Sequence, residues 1–166
     1  MFGRDSHYKR EIMAESMKEL DFPYNLPIWR NTFESTAPDG KLTARILKAS
    51  EVSMGNPTIG TLELSNGFEL AGCNPSFIWS DDSRYLVVPH YFRHFGVFRR
   101  QRLAIIDVVD NSMMVSRKIT CYFQPESFLA GELIVTVEPF SDALMVKWQI
   151  PRDLNQFKAF KKLPTR

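Results

Sequence analysis

The sequence has few cysteines and almost no net charge, and each shortage excludes a class of protein. Its two cysteines, Cys73 and Cys121, form neither a C-x-x-C pair nor a disulfide-rich framework, so we expect reduced thiols in a reducing compartment. Lysine and arginine number 21, and aspartate and glutamate number 19. This net charge of +2 does not by itself indicate a nucleic-acid-binding protein.

Apolar targeting segments are absent from the sequence. No run of about 18 apolar residues is present, so no segment is expected to span a membrane. Residues 1–7 lack the apolar core of a secretory signal. The expected location is therefore the cytoplasm.

Catalytic signatures are missing as well. The sequence contains no phosphate-binding loop and no G-x-G-x-x-G fingerprint. His90 and His94 have a spacing that groups ligands on a helix, but they lie between predicted strands. Asp81 and Asp82 are adjacent in a predicted turn, and turn geometry accounts for both. We therefore predict that the protein is not an enzyme and has no catalytic site, cofactor or metal.

What the sequence does contain is a regular series of turns between short apolar segments. Turn-forming residues recur about every eight to twelve positions, which is typical of a mostly antiparallel β protein. With 166 residues and a hydrophobic fraction of 44%, the chain is expected to form a single domain over residues 1–166. Its expected divisions are a helical N-terminal segment (1–27), a β body (28–150) and a C-terminal segment (151–166).

Both terminal segments show helical periodicity. Between residues 6 and 20 the apolar side chains fall roughly on one face of a predicted helix. In residues 151–166, Leu154, Phe157 and Phe160 would share one face of a helix, and Asp153 directly before them is a residue type that caps helices. This pattern predicts a short helix docked on the sheet. The alternative for this last segment is a basic peptide that engages a partner.

The stretch from Phe77 to Val109 is predicted to be the centre of the fold. It reads as a short aromatic strand, a turn, a return strand, a basic loop and an apolar strand over residues 103–109 that is covered on both faces. The predicted core residues of this stretch are Phe77, Trp79, Leu86, Val88, Ile105 and Ile106.

A weak internal repeat runs through the β body. Gly40, Ser83 and Gly131 occupy similar positions in tight turns, 43 and 48 residues apart, and each turn precedes two apolar strands. The motif PSFIWSDDSRYLVV followed by RLAIIDV resembles the inner hairpin and outer strand of a β-propeller blade. This resemblance implies about three blade-like meander units. Because propellers usually close with about four or more blades, we expect a sandwich or an open stack of sheets instead of a closed propeller.

The residues most suggestive of function lie in the predicted loop from Pro89 to Arg102. Aromatic and arginine side chains, which this loop combines, dominate the energetics of protein interfaces. The predicted partner-binding residues are Tyr91, Phe92, Arg93, His94, Phe95, Phe98, Arg99 and Arg100. Two alternatives exist. The aromatic side chains fill the core beneath solvated arginines, or they stack on bases while the arginines neutralise phosphates.

Two segments, MGNPTIGTLELSNG (54–67) and CNPSFIWSDDSRYLVVP (73–89), resemble small bacterial proteins of the toxin-immunity type. This resemblance implies a non-catalytic protein-binding module that neutralises a bacterial toxin by surface complementarity. It assigns no site residue, because immunity families share no catalytic pattern. The alternative function is a nucleic-acid-binding β module that uses the loop at 89–102.

Overall fold

A computed structural model describes residues 27–51, 53, 56–96, 98–138 and 143–162 of the chain. These residues form twelve β-strands and two 3-10 helices, Pro27–Trp29 and Leu154–Gln156. The strands are β1 (Phe33–Thr36), β2 (Thr43–Glu51), β3 (Thr58–Leu64), β4 (Glu69–Cys73), β5 (Ile78–Trp79), β6 (Tyr85–His94), β7 (Phe98–Asp107), β8 (Ser112–Ser116), β9 (Phe123–Leu129), β10 (Glu132–Val137), β11 (Leu144–Gln149) and β12 (Phe157–Lys162). The helix predicted near residues 6–20 lies outside the described residues.

The strands build two antiparallel sheets. The larger sheet has nine strands in the order β1-β2-β3-β4-β6-β7-β8-β12, with β5 paired to the first part of β6. The smaller sheet has three strands in the order β11-β10-β9. No backbone ladder closes either sheet within the described residues. The prediction of a mostly β protein with open antiparallel sheets is therefore confirmed.

The strands follow one another in three groups of four, and a tight turn joins the first two strands of each group. Each of these turns contains a residue with positive φ, namely Gly40 (74°), Ser83 (62°) and Gly131 (77°), and the third turn has a second one at Ala130 (49°). The first two groups form the larger sheet together with β12. In the third group, β9, β10 and β11 form the smaller sheet, and β12 pairs with β8 of the second group. The weak repeat in the sequence thus corresponds to a repeated strand–turn–strand pattern.

Hydrogen bonds connect the three turns to one another. The backbone N–H of Asp39 in the first turn donates to Ser83 Oγ in the second turn at 2.9 Å. The backbone N–H of Ala130 in the third turn donates to Asp81 Oδ2 in the second turn at 2.9 Å. Asp81 N–H also donates to the carbonyl of Phe128 at 3.1 Å. The β5–β6 turn therefore links both sheets.

The β6–β7 hairpin carries one hydrophobic core on each face. Because strand side chains alternate, Ile106 points into the first core and its neighbour Ile105 into the second. The first core contains Ala44, Ile46, Leu62, Leu64, Phe77, Trp79, Leu86, Val88, Ala104, Ile106, Met113 and Val115 among its members. The second contains Tyr85, Val87, Leu103, Ile105, Phe123, Phe128, Leu133, Val135, Trp148 and Phe157 among its members. The six predicted core residues are all buried, and residues 103–106 are covered on both faces. The predicted strand over 103–109 ends at Asp107, and Val109 is 65% exposed in the turn that follows.

The larger sheet curls around the first core. In the sheet order, β2, β3 and β4 separate β1 from β6. Nevertheless, Trp79 Nε1 of β5 donates to the carbonyl of Ser35 in β1 at 3.1 Å. The first core therefore joins side chains from β2 and β3 to side chains from β6, β7 and β8.

The base of the hairpin is held by a hydrogen-bonded ion pair. Arg84 Nε and Nη2 donate to Asp107 Oδ2 at 3.0 and 2.8 Å. Asp107 Oδ1 accepts the backbone N–H groups of Val109 and Asp110 at 3.0 and 2.9 Å. Because a buried carboxylate is costly unless it is paired and hydrogen-bonded, these four bonds stabilise the turn that follows β7.

The prediction of a loop from Pro89 to Arg102 is wrong. β6 and β7 pair along their whole lengths, from Tyr85 opposite Asp107 to His94 opposite Phe98. Arginines among aromatic residues suggested a loop, but a hairpin that extends past the core accepts charged side chains on both faces. The chain reverses only between His94 and Phe98.

The short helix predicted in residues 151–166 is also wrong. A 3-10 turn at Leu154–Gln156 leads into β12, which pairs with β8. This pairing buries Phe157 against Trp148, with ring centroids 5.6 Å apart. The spacing of Leu154, Phe157 and Phe160 fits a helix equally well. The segment forms a strand because the edge of β8 supplies hydrogen-bond partners for its backbone.

Replacing Ile105 or Ile106 by Ala should lower the free energy of unfolding by about 2–5 kcal/mol each, because each substitution leaves a void in a different core. The measurement is urea denaturation. Val109→Ala is the matched control, since Val109 is 65% exposed and its truncation should cost roughly 0.5 kcal/mol or less. An unchanged midpoint in either core variant would contradict the two-core arrangement.

Candidate functional site

The end of the hairpin, residues 91–100, carries the predicted partner-binding residues. Phe95 forms its tip, is 85% exposed, and adopts a positive φ of 51° beside Gly96 at 74°. Arg93 and Arg99 pair across the hairpin and are both exposed. Within the described residues Arg93 has no ion-pair partner. The tip therefore presents an aromatic ring beside cationic side chains.

The other predicted residues are divided between the two faces of the hairpin. Strand alternation places Tyr91, Arg93 and Arg99 on one face. It places Phe92 and Arg100, which pair across the strands, on the other face. His94 and Phe98 pair at the end of the ladder, and their side chains lie outside the described part of the structure. One flat partner surface therefore cannot contact all eight predicted residues.

Phe92 contributes to a cation–π cluster that attaches β12 to the hairpin. The guanidinium of Arg102 lies 4.8 Å from the ring centroid of Phe92 and 4.3 Å from that of Phe160. Arg102 Nε also donates to His90 Nδ1 at 3.3 Å. Burial and the Arg102 charge lower the pKa of His90 to about 4, although its hydrogen bond to the backbone of Ala71 acts in the opposite direction. His90 is therefore neutral at pH 7.

A groove opens where β4 separates from the hairpin. Gly72, with φ of 78°, is an extra residue in β4 relative to β3, and such a bulge bends a strand. β4 then pairs with β6 through Cys73 and His90. The groove has a volume of about 390 Å³, and its walls include Glu51, Ile59, Gly72, Tyr91, Phe92 and Arg93.

A smaller pocket of about 240 Å³ lies next to the groove, and Tyr91 and Arg99 line both. The other walls of the pocket include Asn56, Arg100, Cys121 and Tyr122. Arg100 Nη1 donates to Cys121 Sγ at 3.1 Å, and the Tyr122 hydroxyl donates to Asn56 Oδ1 at 2.8 Å. The pocket thus combines two guanidinium groups with two phenols.

Gln101 brings residues 120–122 to the hairpin. It forms an isolated antiparallel bridge with Thr120, with backbone bonds of 2.7 and 3.1 Å. Its side-chain Oε1 accepts the backbone N–H of Phe123 at 2.6 Å. On the far side, Glu138 accepts hydrogen bonds from the Thr120 hydroxyl and from the backbone N–H of Cys121. These bonds fix Cys121 and Tyr122 beside Tyr91.

The Tyr91 hydroxyl is buried beside the side chain of Gln101, which lies opposite Tyr91 in the hairpin and is its hydrogen-bond neighbour. The amide Nε2 of Gln101 is likewise buried. Burial raises the pKa of Tyr91, and the neighbouring Gln101 amide partly opposes this shift. Tyr91 therefore keeps its proton and offers a hydrogen-bond donor.

The sequence did not indicate several of the residues that line the groove and the pocket. Glu51, Ile59 and Gly72 come from the first group of strands, and Cys121 and Tyr122 come from the segment before β9. No local motif connects these segments with residues 91–100. The bulge at Gly72 and the bridge at Gln101 are tertiary features that bring them together.

No protein-family model, curated protein or solved structure matches this chain. In the part of the chain that the structure describes, no helix has the length and apolar character needed to cross a lipid bilayer. The same residues contain no group of three or more histidine, cysteine, aspartate or glutamate side chains placed to hold a metal ion.

The stability of the protein should fall between about pH 6.5 and pH 4 because of His90. The folded state holds the His90 pKa at about 4, whereas the unfolded chain takes up the proton near its ordinary value of 6.5. The free energy of unfolding should therefore decrease as the pH falls through this range, and the protonation of His90 should account for up to about 3 kcal/mol of the decrease. His90→Gln keeps an acceptor and a donor but does not titrate, so its loss should be smaller. Urea midpoints at pH 7 and pH 4.5 measure both losses, and equal losses would contradict this role of His90.

The two cysteines should differ sharply in their reaction with iodoacetamide. Both are free, but Cys73 is fully buried and burial raises its pKa, whereas Cys121 is half-buried at the pocket wall. Under native conditions Cys121 should be alkylated well before Cys73. Peptide mass spectrometry gives the rates, with urea-unfolded protein as the control in which both react. Equal native rates would contradict the described burial of Cys73.

Proposed function

We propose that this protein acts without catalysis, by binding a protein partner through the end of the β6–β7 hairpin. The observation that carries the proposal is Phe95. Phe95 is 85% exposed at a backbone position with φ of 51°, where Asn or Gly is favoured. A bulky aromatic residue is unfavourable at this backbone position, and residues kept in such positions are often functional, so we take Phe95 as a binding residue.

Charge distribution supports a partner with an acidic surface. Arg93, Arg99, Arg100 and Arg102 lie toward the tip of the hairpin. Asp81, Asp82, Asp107 and Asp110 lie at its base. This separation of positive charge at the tip from negative charge at the base would orient a partner's acidic face toward the tip. Such steering mainly raises the association rate.

We further propose that the partner is a bacterial toxin and that the protein works in the cytoplasm. The resemblance of residues 54–67 and 73–89 to proteins of the toxin-immunity type supports the first part. The two free thiols support a reducing compartment. A toxin among the captured partners, together with restored growth when both proteins are co-expressed, would support this identity.

Phe95→Asn should separate binding from stability. Asn is favoured at positive φ, so the variant should melt at the same temperature as the wild type or slightly above it, while partner affinity falls at least about tenfold. The partner is first captured with a photo-crosslinking amino acid at position 95. Its affinity for wild type and variants is then measured by calorimetry.

Leu129→Asn is the matched control, because Leu129 is 62% exposed beside the β9–β10 turn, which is hydrogen-bonded to the β5–β6 turn at the base of the hairpin. It should leave the affinity unchanged. Equal affinity of wild type and Phe95→Asn would remove the tip from the interface. Crosslinking to nucleic acid alone, with an affinity that falls steeply with salt, would favour the nucleic-acid-binding alternative.

A further inference from the structure

The outer edge of β11 is a surface that the proposed function does not use. β11 ends the smaller sheet, and among the described residues only β10 pairs with it. Two of its apolar side chains, Leu144 and Met145, are 55% and 59% exposed. An edge strand that combines apolar side chains with unpaired backbone groups is a ready site for pairing with another strand.

The register with β10 shows which backbone groups of β11 point outward. The N–H of Ile150 donates to the carbonyl of Gly131 at 2.8 Å, so these two residues form a hydrogen-bonded pair. In an antiparallel ladder such pairs alternate with pairs whose N–H and C=O groups point away from the partner strand. The even-numbered residues of β11 therefore bond to β10, and the odd-numbered residues direct their groups outward. The outward residues are Met145, Lys147 and Gln149.

Asp153 closes one end of this outward edge. Its Oδ2 accepts the N–H of Gln149 at 2.7 Å, and its own N–H donates to the carbonyl of Gln149 at 2.7 Å. Over the ranges that the structure describes, no residue bonds to the outward backbone groups of Met145 and Lys147. The open edge is therefore short, and a second strand can pair with it only before Gln149.

Charge and apolar exposure match this edge to a second copy of itself. Two antiparallel copies of β11 can be related by a two-fold axis at Met145, Val146 or Lys147. An axis at Lys147 places like charges directly opposite each other, which is destabilising. An axis at Val146 leaves the two lysines as diagonal neighbours, about 7–8 Å apart. An axis at Met145 separates them by about 13 Å along the strand, beyond the Debye length of about 8 Å, and pairs the two exposed methionines.

The other strand edges are less suited to pairing with their own copies. β12, at one end of the larger sheet, has three lysines among its six residues, and repeated lysines protect an edge strand. β1, at the other end, has only four residues. β9 contains Pro125, which has no backbone N–H to donate. β11 has no proline, and Lys147 is its one charged residue, with Glu132 only 3.8 Å away.

We infer that the protein forms a weak two-fold dimer by antiparallel pairing of β11 with β11 of a second copy, centred on Met145. The two Met145 residues exchange two backbone hydrogen bonds, and Lys147 pairs with Ala143 of the second copy. Leu144 lies opposite Val146 of the second copy. The two three-stranded sheets thereby join into one sheet of six strands. This contact is small beside the roughly 1,200–2,000 Å² of a stable interface, so the dimer depends on concentration.

Charge variants at position 145 test both the dimer and its register. Sedimentation equilibrium of the whole chain from about 10 μM to about 1 mM should show a concentration-dependent dimer. Met145→Lys and Met145→Glu should each stay monomeric over this range, because each places like charges on the two-fold axis. An equimolar mixture of the two variants should dimerise at least as tightly as the wild type, since Lys then faces Glu.

Leu129→Lys is the matched control, because Leu129 is 62% exposed and lies on β9, at the other edge of the same sheet. It should dimerise as the wild type does. Phe95→Asn should do so too, because the hairpin tip is not part of this contact. The dimer therefore succeeds or fails independently of the proposed function.

Amide hydrogen exchange measured by NMR tests the pairing at single residues. In dilute protein the amides of Met145 and Lys147 should exchange rapidly, whereas those of Leu144 and Val146 should be protected by their bonds to β10. In concentrated protein the Met145 and Lys147 amides should exchange at least about threefold more slowly. The Leu144 and Val146 amides serve as internal controls and should change little.

Four results would overturn the inference. The first is a wild type that stays monomeric up to about 1 mM, and the second is a mixture of Met145→Lys and Met145→Glu that does not associate. The third is dimerisation of Met145→Glu by itself, because Glu would then face Lys147 of the second copy and the axis would lie at Val146. The fourth is protection of the Met145 amide at every concentration, which would show that another segment of the same chain covers the edge.

Discussion

The structure depends on one hairpin that is buried on both faces near its base. β6 and β7 pair along their whole lengths, and alternating side chains enter two different cores. Ile105 and Ile106 are neighbours in the chain but contribute to opposite cores. Both cores therefore require the same register between β6 and β7, because a slip of one residue would exchange every side chain between the two faces. The Arg84–Asp107 pair at the base favours that register.

The β5–β6 turn adds a second constraint, since it determines how the three groups of strands meet. Asp81 and Ser83 accept backbone N–H groups from the third and first turns. Such bonds are directional, whereas apolar contact in the two cores is not. The turns therefore orient the smaller sheet and the edge of the larger sheet, while the cores supply most of the stabilising burial. The third group does not complete its own meander, because β12 pairs with β8.

The same hairpin carries the proposed binding site because it extends beyond the cores. From Gln101 toward the tip, fully buried side chains give way to half-buried and exposed ones. A rigid strand pair thus presents Arg93, Phe95 and Arg99 at a distance from the cores. Substitutions at the tip should consequently change binding with little effect on the cores. The pocket is closer to the base and is built from three segments, so its geometry depends more on the fold.

Local sequence patterns predicted the elements whose signal is local. The turns at 37–40 and 65–67, the buried apolar strand at 103–106 and the repeated strand–turn–strand pattern are all present. Wrong predictions arose where a pattern fits two structures. Leu154, Phe157 and Phe160 fit a helix or a strand, and arginines among aromatic residues fit a loop or an extended hairpin.

By itself, the sequence determined that this is an antiparallel β protein centred on residues 77–109, because alternation and turn chemistry act between neighbouring residues. It also indicated that aromatic and arginine residues concentrate near residue 95. Tertiary structure alone decided that β12 joins β8, that Gly72 opens a groove, and that Cys121 and Tyr122 stand beside Tyr91. These features depend on pairing between segments far apart in the chain, and no local preference specifies such pairing.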